Sequence, residues 1–186
     1  PFVAAVPSGS FNSARSMSYA NMNYFRAVAL AELGFITLIL DSRGTPLRSK
    51  TFHDVSYGWS PSGGNTEDHT GAIQQLAKRY SFIDINRVGI YSIGYRAGLQ
   101  NFLERQDLYK VFVLGGIMID VRLAGCSVVG DVWEGCDGPD EDKVYPENLV
   151  ENIKGKMLLV QPVNNHNAPC YPPASALRFM DALQQA

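Results

Sequence analysis

The residues of this chain that are best placed to do chemistry lie in one short segment, residues 87–98. The segment reads RVGIYSIGYRAG, so an apolar run rich in β-branched residues leads into Ser92, Gly94 and Tyr95. Such a run followed by small residues predicts a strand that turns sharply into a helix, where some hydrolases expose a nucleophilic hydroxyl. A serine at such a turn also needs a base that takes its proton and an acid that orients the base.

Other candidates for a base, a nucleophile or a metal ligand are scattered along the chain. The histidines are His53, His69 and His166, and Cys170 follows the last of them in a proline-rich loop. A Cys–His dyad is one interpretation of that spacing, and a solvated loop histidine is the interpretation that we prefer. The acidic run at residues 137–142 has the spacing of no calcium loop, so we predict no metal and no cofactor.

Alternating apolar and amphipathic runs predict the elements that position these residues. The alternation is typical of crossover units around a mostly parallel sheet. We expect strands at residues 2–6, 35–40, 87–92, 110–117 and 156–161, and helices at 22–33, 66–80, 97–105 and around 176–183. The second strand is expected to be buried on both faces, and residues 41–65 to form one long loop.

Single residues predict where the helices begin and end and which faces they bury. Gly34 is expected to end the first helix, and Thr66 to cap the second, whose first turn carries Glu67 and Asp68. The predicted apolar stripes are Met22, Phe25, Ala29 and Leu33 in the first helix, Ile73, Leu76, Ala77 and Tyr80 in the second, and Ala176, Phe179, Met180 and Leu183 in the last.

Composition limits the class of protein. With 186 residues and 46% hydrophobic content, residues 1–186 are expected to form a single domain. The net charge of -2 and the scattered basic residues argue against nucleic acid, and no apolar run is long enough to span a membrane. The three cysteines show no CxxC spacing. A disulfide between Cys126 and Cys136 is left open, and so is the compartment.

The segment at residues 87–98 resembles the nucleophile elbow of the prolyl oligopeptidase and dipeptidyl peptidase family, in which an R-[IV]-G-[IV]-[WY] strand leads into G-x-S-Y-G-G. Other stretches resemble the family in order and spacing: LDSRGT at 40–45, the pair at 52–53, TEDH at 66–69, FIDINR at 82–87 and KGKMLLV at 154–160. The resemblance implies an α/β-hydrolase fold, a mostly parallel sheet with helices on both faces. A doubly wound nucleotide-binding domain is the competing architecture, but no glycine-rich phosphate loop follows the first strand.

Aligned on the elbow, Gly94 occupies the position of the family's nucleophilic serine. Glycine has no side chain that could form a covalent intermediate. Ser92 lies at the first small position of the motif and Arg96 at the second, where the family has glycine. Ser92 is the fallback nucleophile under a shifted alignment, which would put β-branched Ile90 at a position that needs a small residue.

The resemblance also implies losses elsewhere in the site. Asn165 stands at the position of the catalytic acid, and the family histidine lies beyond one more helix and strand, so the chain is expected to be truncated before it. The oxyanion tyrosine of the family falls at or near Pro7, while the Tyr95 amide could still donate. Four changes in one site favour a catalytically inactive, peptidase-like domain with a binding, scaffolding or regulatory role.

Two other hypotheses stay open. One is a working serine peptidase or esterase whose chain is truncated or altered. The other is a small-molecule site at the strand ends, lined by Tyr91, Tyr95, Arg96 and Trp133. The resemblance implies an N-terminal β-propeller and a C-terminal segment outside this chain, and protein partners or a homodimer are expected from it.

Overall fold

The computed structural model describes residues 3–7, 22–45, 47–55, 65–93, 96–116, 150–162 and 173–186. Five strands lie in these ranges: β1 (Val3–Pro7), β2 (Ile36–Leu40), β3 (Val88–Ile93), β4 (Tyr109–Gly115) and β5 (Lys156–Val160). The helices are α1 (Met22–Glu32), α2 (Lys50–Asp54), α3 (Asn65–Arg79), α4 (Arg96–Glu104) and α5 (Pro173–Gln185). A 3-10 turn at Val150–Asn152 precedes β5.

The strands form one parallel sheet in the order β2-β1-β3-β4-β5. The pairing register places Ile90 of β3 beside Phe112 of β4, and Phe112 beside Met157 of β5. Parallel neighbours need crossover connections, and in the described ranges helices lie between consecutive strands as the alternating pattern predicts. The predicted α/β architecture is therefore confirmed.

The direction of the crossovers assigns helices to the two faces of the sheet. The step from β1 to β2 through α1 runs opposite to the steps from β2 to β3 through α3 and from β3 to β4 through α4. Right-handed crossovers then place α1 on one face and α3 and α4 on the other. Direct packing of α3 against α4 agrees with this assignment.

The core lies in the layer between the sheet and α4. The fully buried ring of Phe102 on α4 stacks on Phe112 of β4 with a centroid distance of 5.1 Å. Gly155 leaves space for that ring, since a Cβ built there would lie 2.7 Å from its Cζ. Phe179 of α5 is also fully buried and belongs to the same cluster. These contacts pack α4 against the sheet.

The opposite face of the sheet is less completely covered at β5. Met157 and Leu159 pack against the core, whereas the alternating residues Leu158 and Val160 are each 56% exposed. Because successive side chains of a strand point to opposite faces, the exposed pair lies on the face away from α4.

Two predicted patterns of burial are wrong. We expected β2 to be buried on both faces, but its residues are only half-buried because, among the described strands, it lies at the edge of the sheet beside β1. In α1 the predicted stripe is displaced, since Phe25 and Ala29 are exposed and Ala27 is the buried residue. The contact with β1 and β2 selects that narrower face. Gly34 ends the helix region as predicted, with φ of +88°.

The expectations for residues 41–66 also need correction. The long loop contains α2, whose N-cap Ser49 accepts a hydrogen bond from the Phe52 amide. Thr66 is the second residue of α3 rather than its cap, and its hydroxyl donates to Oδ1 of Asn101 on α4 at 2.6 Å. A tertiary hydrogen bond thus replaces the local one that the sequence suggested.

The buried faces of α3 and α5 agree only partly with prediction. In α3 Ile73 is buried, but Tyr80 is 37% exposed and the buried stripe continues through polar Thr66, His69 and Thr70. In α5 Ala176 and Phe179 are buried as predicted, and Met180 is exposed. The three cysteines and the acidic run at 137–142 lie outside the described residues. No helix in the described ranges has both the length and the apolarity to cross a membrane.

Candidate functional site at the carboxyl ends of the strands

The candidate site lies at the sheet edge where all five parallel strands end. The chain leaves β1 toward β2 and leaves β3 toward β4, in opposite directions along the sheet. Open parallel sheets bind ligands in the crevice at such a reversal, outside the carboxyl ends of the strands. The reversal here lies between β1, which ends at Pro7, and β3, which ends at Ile93.

The junction after β3 consists of two residues, Gly94 and Tyr95, because β3 ends at Ile93 and α4 begins at Arg96. Both junction residues lie outside the described residues, but their anchors on either side are described. A strand that passes into a helix through two residues is the topology that the elbow motif predicts. The described anchor before the junction, Ile93, lies at the carboxyl end of a central strand, next to the reversal.

Ser92, the fallback nucleophile, lies in the packing layer and is 2% exposed. Its side chain faces α4, since a Cβ built on Gly98 would lie 2.4 Å from both Cβ and Oγ of Ser92. Gly98 therefore permits the close approach of α4 to β3. The hydroxyl is directed into the interface between strand and helix and not beyond the end of the strand.

The end of β3 is closely packed against the end of β4. The register pairs Ile93 with Gly115, and Gly115 with Val160. A Cβ built on Gly115 would lie 3.1 Å from Cγ1 of Ile93, so the glycine accommodates the isoleucine side chain. The amide of Gly116 then donates to the carbonyl of Val160 at 2.8 Å. These contacts hold the carboxyl ends of β3, β4 and β5 together.

The turn that follows β2, residues 41–45, is held by an ion pair with the start of α3. The Arg43 amide donates to Oδ2 of Asp68 at 2.7 Å, and its Nε donates to Oδ1 at 3.0 Å. The guanidinium also contacts Oε2 of Glu67 at 3.2 Å. Hydrogen bonding to Asp68 raises the pKa of Arg43 above its usual value. We call the contact between Arg43 and Asp68 the Arg43–Asp68 clamp.

Two further contacts order the same turn. Gly44 has φ of +95°, a left-handed conformation that favours glycine, and its amide donates to the carbonyl of Phe52 on α2 at 2.7 Å. Thr45 Oγ1 donates to the carbonyl of Ser42 at 2.9 Å. The turn is thus fastened to α2 and α3 and forms a defined rim beside the end of β1.

Of the predicted ligand-lining residues, the structure describes the side chain of Tyr91 and the backbone of Arg96. Tyr91 is half-buried within β3 beside Val113, on the face away from Ser92. Arg96 is the first residue of α4, with its side chain outside the described residues. Pro7 is the last residue of β1. Tyr95, Trp133 and Asn165, together with Cys170 and His166, lie outside the described residues.

His69 is a residue whose environment sequence reasoning missed. It is 0% exposed, and neither Nδ1 nor Nε2 has a hydrogen-bond partner in the part of the chain that the structure describes. Burial lowers the pKa of His69 from 6.5 to about 4. Its spacing from Thr66 and Ile73 places it on the buried face of α3. A search for apolar residues at helical spacing does not detect this face, because Thr66 and His69 are polar.

Comparison with known proteins agrees with this architecture. Human dipeptidyl peptidase 8 is 32% identical over 99 residues, which are 52% of this chain and 11% of that protein. Pyrococcus horikoshii acylaminoacyl peptidase has a similar structure, with a TM-score of 0.77 at 20% identity over 100% of this chain and 30% of that one. Porphyromonas gingivalis dipeptidyl peptidase 4 has a TM-score of 0.77 at 20% identity, over 99% of this chain and 26% of that one.

The chain thus spans only a small part of the length of these relatives. At such low identity the solved structures establish the fold, here the α/β-hydrolase fold of peptidases. The sequence model of the prolyl oligopeptidase family matches residues 20–186, which include β2 to β5 and the elbow segment. The chain belongs to the prolyl oligopeptidase family.

Proposed function

We propose that this chain is a catalytically inactive peptidase domain that works by binding, as a scaffold or regulatory element. The observation that carries the proposal is Gly94 at the carboxyl end of β3, in the two-residue junction where the elbow motif has its serine. Without a hydroxyl at this position no acyl-enzyme can form there.

The intact surroundings of the junction support the assignment of position 94. Residues 88–93 form the strand of the motif, and α4 begins at Arg96. The LDSRGT and TEDH stretches meet in the Arg43–Asp68 clamp. Two motifs that are distant in sequence are thus joined in space, so the alignment that puts glycine at 94 rests on more than one segment.

The position of Ser92 speaks against the fallback nucleophile. A nucleophilic hydroxyl must reach a substrate, but Ser92 is 2% exposed and directed at Gly98 of α4. A substrate carbonyl could approach it only if α4 moved away from β3. The substitutions at the acid and oxyanion positions, Asn165 and Pro7, point in the same direction.

A working serine peptidase or esterase is the second candidate. It is favoured by the family assignment and by the well-packed frame around β3 and α4. This hypothesis requires a nucleophile other than residue 94. Among the described residues of the motif, Ser92 carries the hydroxyl nearest in sequence to that position.

Labelling with a fluorophosphonate probe tests the proposal. The full-length protein is incubated with probe and its intact mass is measured, with an active serine peptidase of the family as the positive control. We expect no adduct, because Gly94 provides no hydroxyl at the position of the motif serine. A stoichiometric adduct that disappears in Ser92→Ala would establish the fallback nucleophile, and an adduct that survives this substitution would locate another serine. Either adduct would overturn the proposal.

A further inference from the structure

His69 and Asp68, the carboxylate of the Arg43–Asp68 clamp, are neighbours in α3 but have opposite environments. His69 is fully buried with two unpartnered ring nitrogens, whereas the preceding residue, Asp68, carries the clamp. A neutral imidazole without partners already loses hydrogen bonds to water, and an imidazolium in the same place would also lose the hydration of a charge.

The charged groups around His69 provide no free acceptor for a second proton. Among the described residues, Asp68 is the charged group that acts on His69, and both oxygens of that carboxylate accept hydrogen bonds from Arg43. On the same helix, Glu67 contacts the Arg43 guanidinium and its side chain is 81% exposed. A proton on His69 therefore competes with Arg43 for Asp68.

The elements packed against α3 contribute no other counter-charge among the described side chains. Strand β1 has no ionisable residue. Helix α4 meets α3 at Asn101, an uncharged side chain, while its exposed Glu104 accepts a hydrogen bond from Gln100. Beyond α4, Arg105 is paired with Asp107, and burial raises the pKa of Tyr109 to about 12, so that phenol stays neutral in acid.

We propose that His69 is an acid-sensitive latch: protonation of its imidazole releases the Arg43–Asp68 clamp and loosens the turn at residues 41–45. The imidazolium can be accommodated in two ways, by drawing Asp68 away from Arg43 or by leaving its buried position with the first turns of α3. Both movements break the hydrogen bond from the Arg43 amide. Because the turn forms the rim of the candidate site beside β1, acid would open that rim.

The latch stands on the burial of His69 and on the geometry of the clamp. The lowered pKa agrees with it, since a neutral imidazole is retained at neutral pH and a proton enters only in acid. It does not depend on whether the site is catalytic, so it goes beyond the proposed function.

Amide spectra of the ¹⁵N-labelled chain test the latch. The signals of Arg43, Gly44 and Thr45 are followed from pH 7 to about pH 3, on both sides of the lowered pKa of His69, in the wild type and in His69→Gln, which cannot take up a proton. We expect the wild-type signals to shift or broaden as pH falls while the variant keeps them. The matched control is His53→Gln, which removes a histidine from α2, the helix that accepts the Gly44 hydrogen bond. It should behave like the wild type.

Two results would overturn the latch. One is an unchanged acid transition in His69→Gln, which would assign it to the carboxylates of the clamp; the other is loss of the transition in His53→Gln. If His69→Gln does not fold, the Cε1–H signal of His69 in the wild type gives its protonation midpoint directly. That midpoint should coincide with the midpoint of the Arg43 amide, and a separation of more than about one pH unit contradicts the latch.

Discussion

In the layer between the sheet and α4, side chains are packed so closely that a methyl group at Gly98 would overlap Ser92 and one at Gly155 would overlap Phe102. Two residues after Ser92, directly following β3, the sequence has Gly94 where the family motif has its reactive serine. The two regions are adjacent: the structure describes the close packing of the first, whereas the loss of the reactive group in the second is our prediction from the family motif. Packing and chemistry are thus specified by different residues of one short segment.

The largest effect expected from a single substitution in the packing layer is that of Phe102→Ala. The ring is fully buried and stacked on Phe112, so its removal should lower the free energy of unfolding by about 3–5 kcal/mol. The matched control is Phe25→Ala on α1, where the ring is 50% exposed. It should cost less than about 1 kcal/mol. Urea unfolding measures both, and equal losses would show that the layer is not the main core.

Acid should weaken the chain through His69. The pKa of His69 is about 4 in the folded state, below its ordinary value of 6.5. Unfolding therefore takes up a proton below pH 6.5, and stability present above that pH is lost progressively until pH 4. The full loss corresponds to about 3 kcal/mol. Urea unfolding at pH 7 and pH 4.5 should show a smaller difference in His69→Gln than in the wild type, and equal differences would contradict the prediction.

The intimate contact between β3 and α4 is tested by Gly98→Ala. The added Cβ would lie 2.4 Å from Cβ and Oγ of Ser92, so the substitution should destabilise the fold by about 1–3 kcal/mol. The double variant Gly98→Ala with Ser92→Gly removes both contacting atoms and should recover most of the loss. Thermal unfolding gives the comparison, and an absence of recovery would place the strain elsewhere.

The control for this pair is Gly71→Ala on α3. A Cβ at Gly71 meets no atom within 4 Å, and alanine is favoured over glycine inside a helix by about 1 kcal/mol. Gly71→Ala should therefore stabilise the chain. If Gly98→Ala and Gly71→Ala both stabilised the chain, helix propensity rather than packing would explain the two changes in stability.

The elements near the candidate site could be predicted from sequence because their signals are local. The run at residues 87–92 and the observed β3 differ by one residue at each end, and Gly34 ends the first helix with a left-handed φ. The elbow order placed position 94 between strand and helix by pattern alone. Its role in function stays a prediction, because residues 94 and 95 are outside the described part of the chain.

The misjudged features depend on contacts between distant residues. Thr66 has the residue type of a helix cap, but its hydroxyl bonds to Asn101, which is 35 positions away in sequence. Helix α2 has only five residues and no buried side chain, so it leaves no periodic signal. His69 looks like a polar surface residue until α3 is packed against β1 and α4. Tertiary context decides all three.

The smallest expected effect is that of Gly94→Ser, which restores the motif serine at the carboxyl end of β3. We expect no measurable peptidase turnover, because the family resemblance implies Asn165 at the acid position, Pro7 at the oxyanion position and Arg96 at a position where the family has glycine. Hydrolysis of a fluorogenic dipeptide amide measures turnover, with the wild type as background. Turnover above that background would mean that the remaining groups of the site still function. The difference between the packing layer and the strand end would then reduce to one residue.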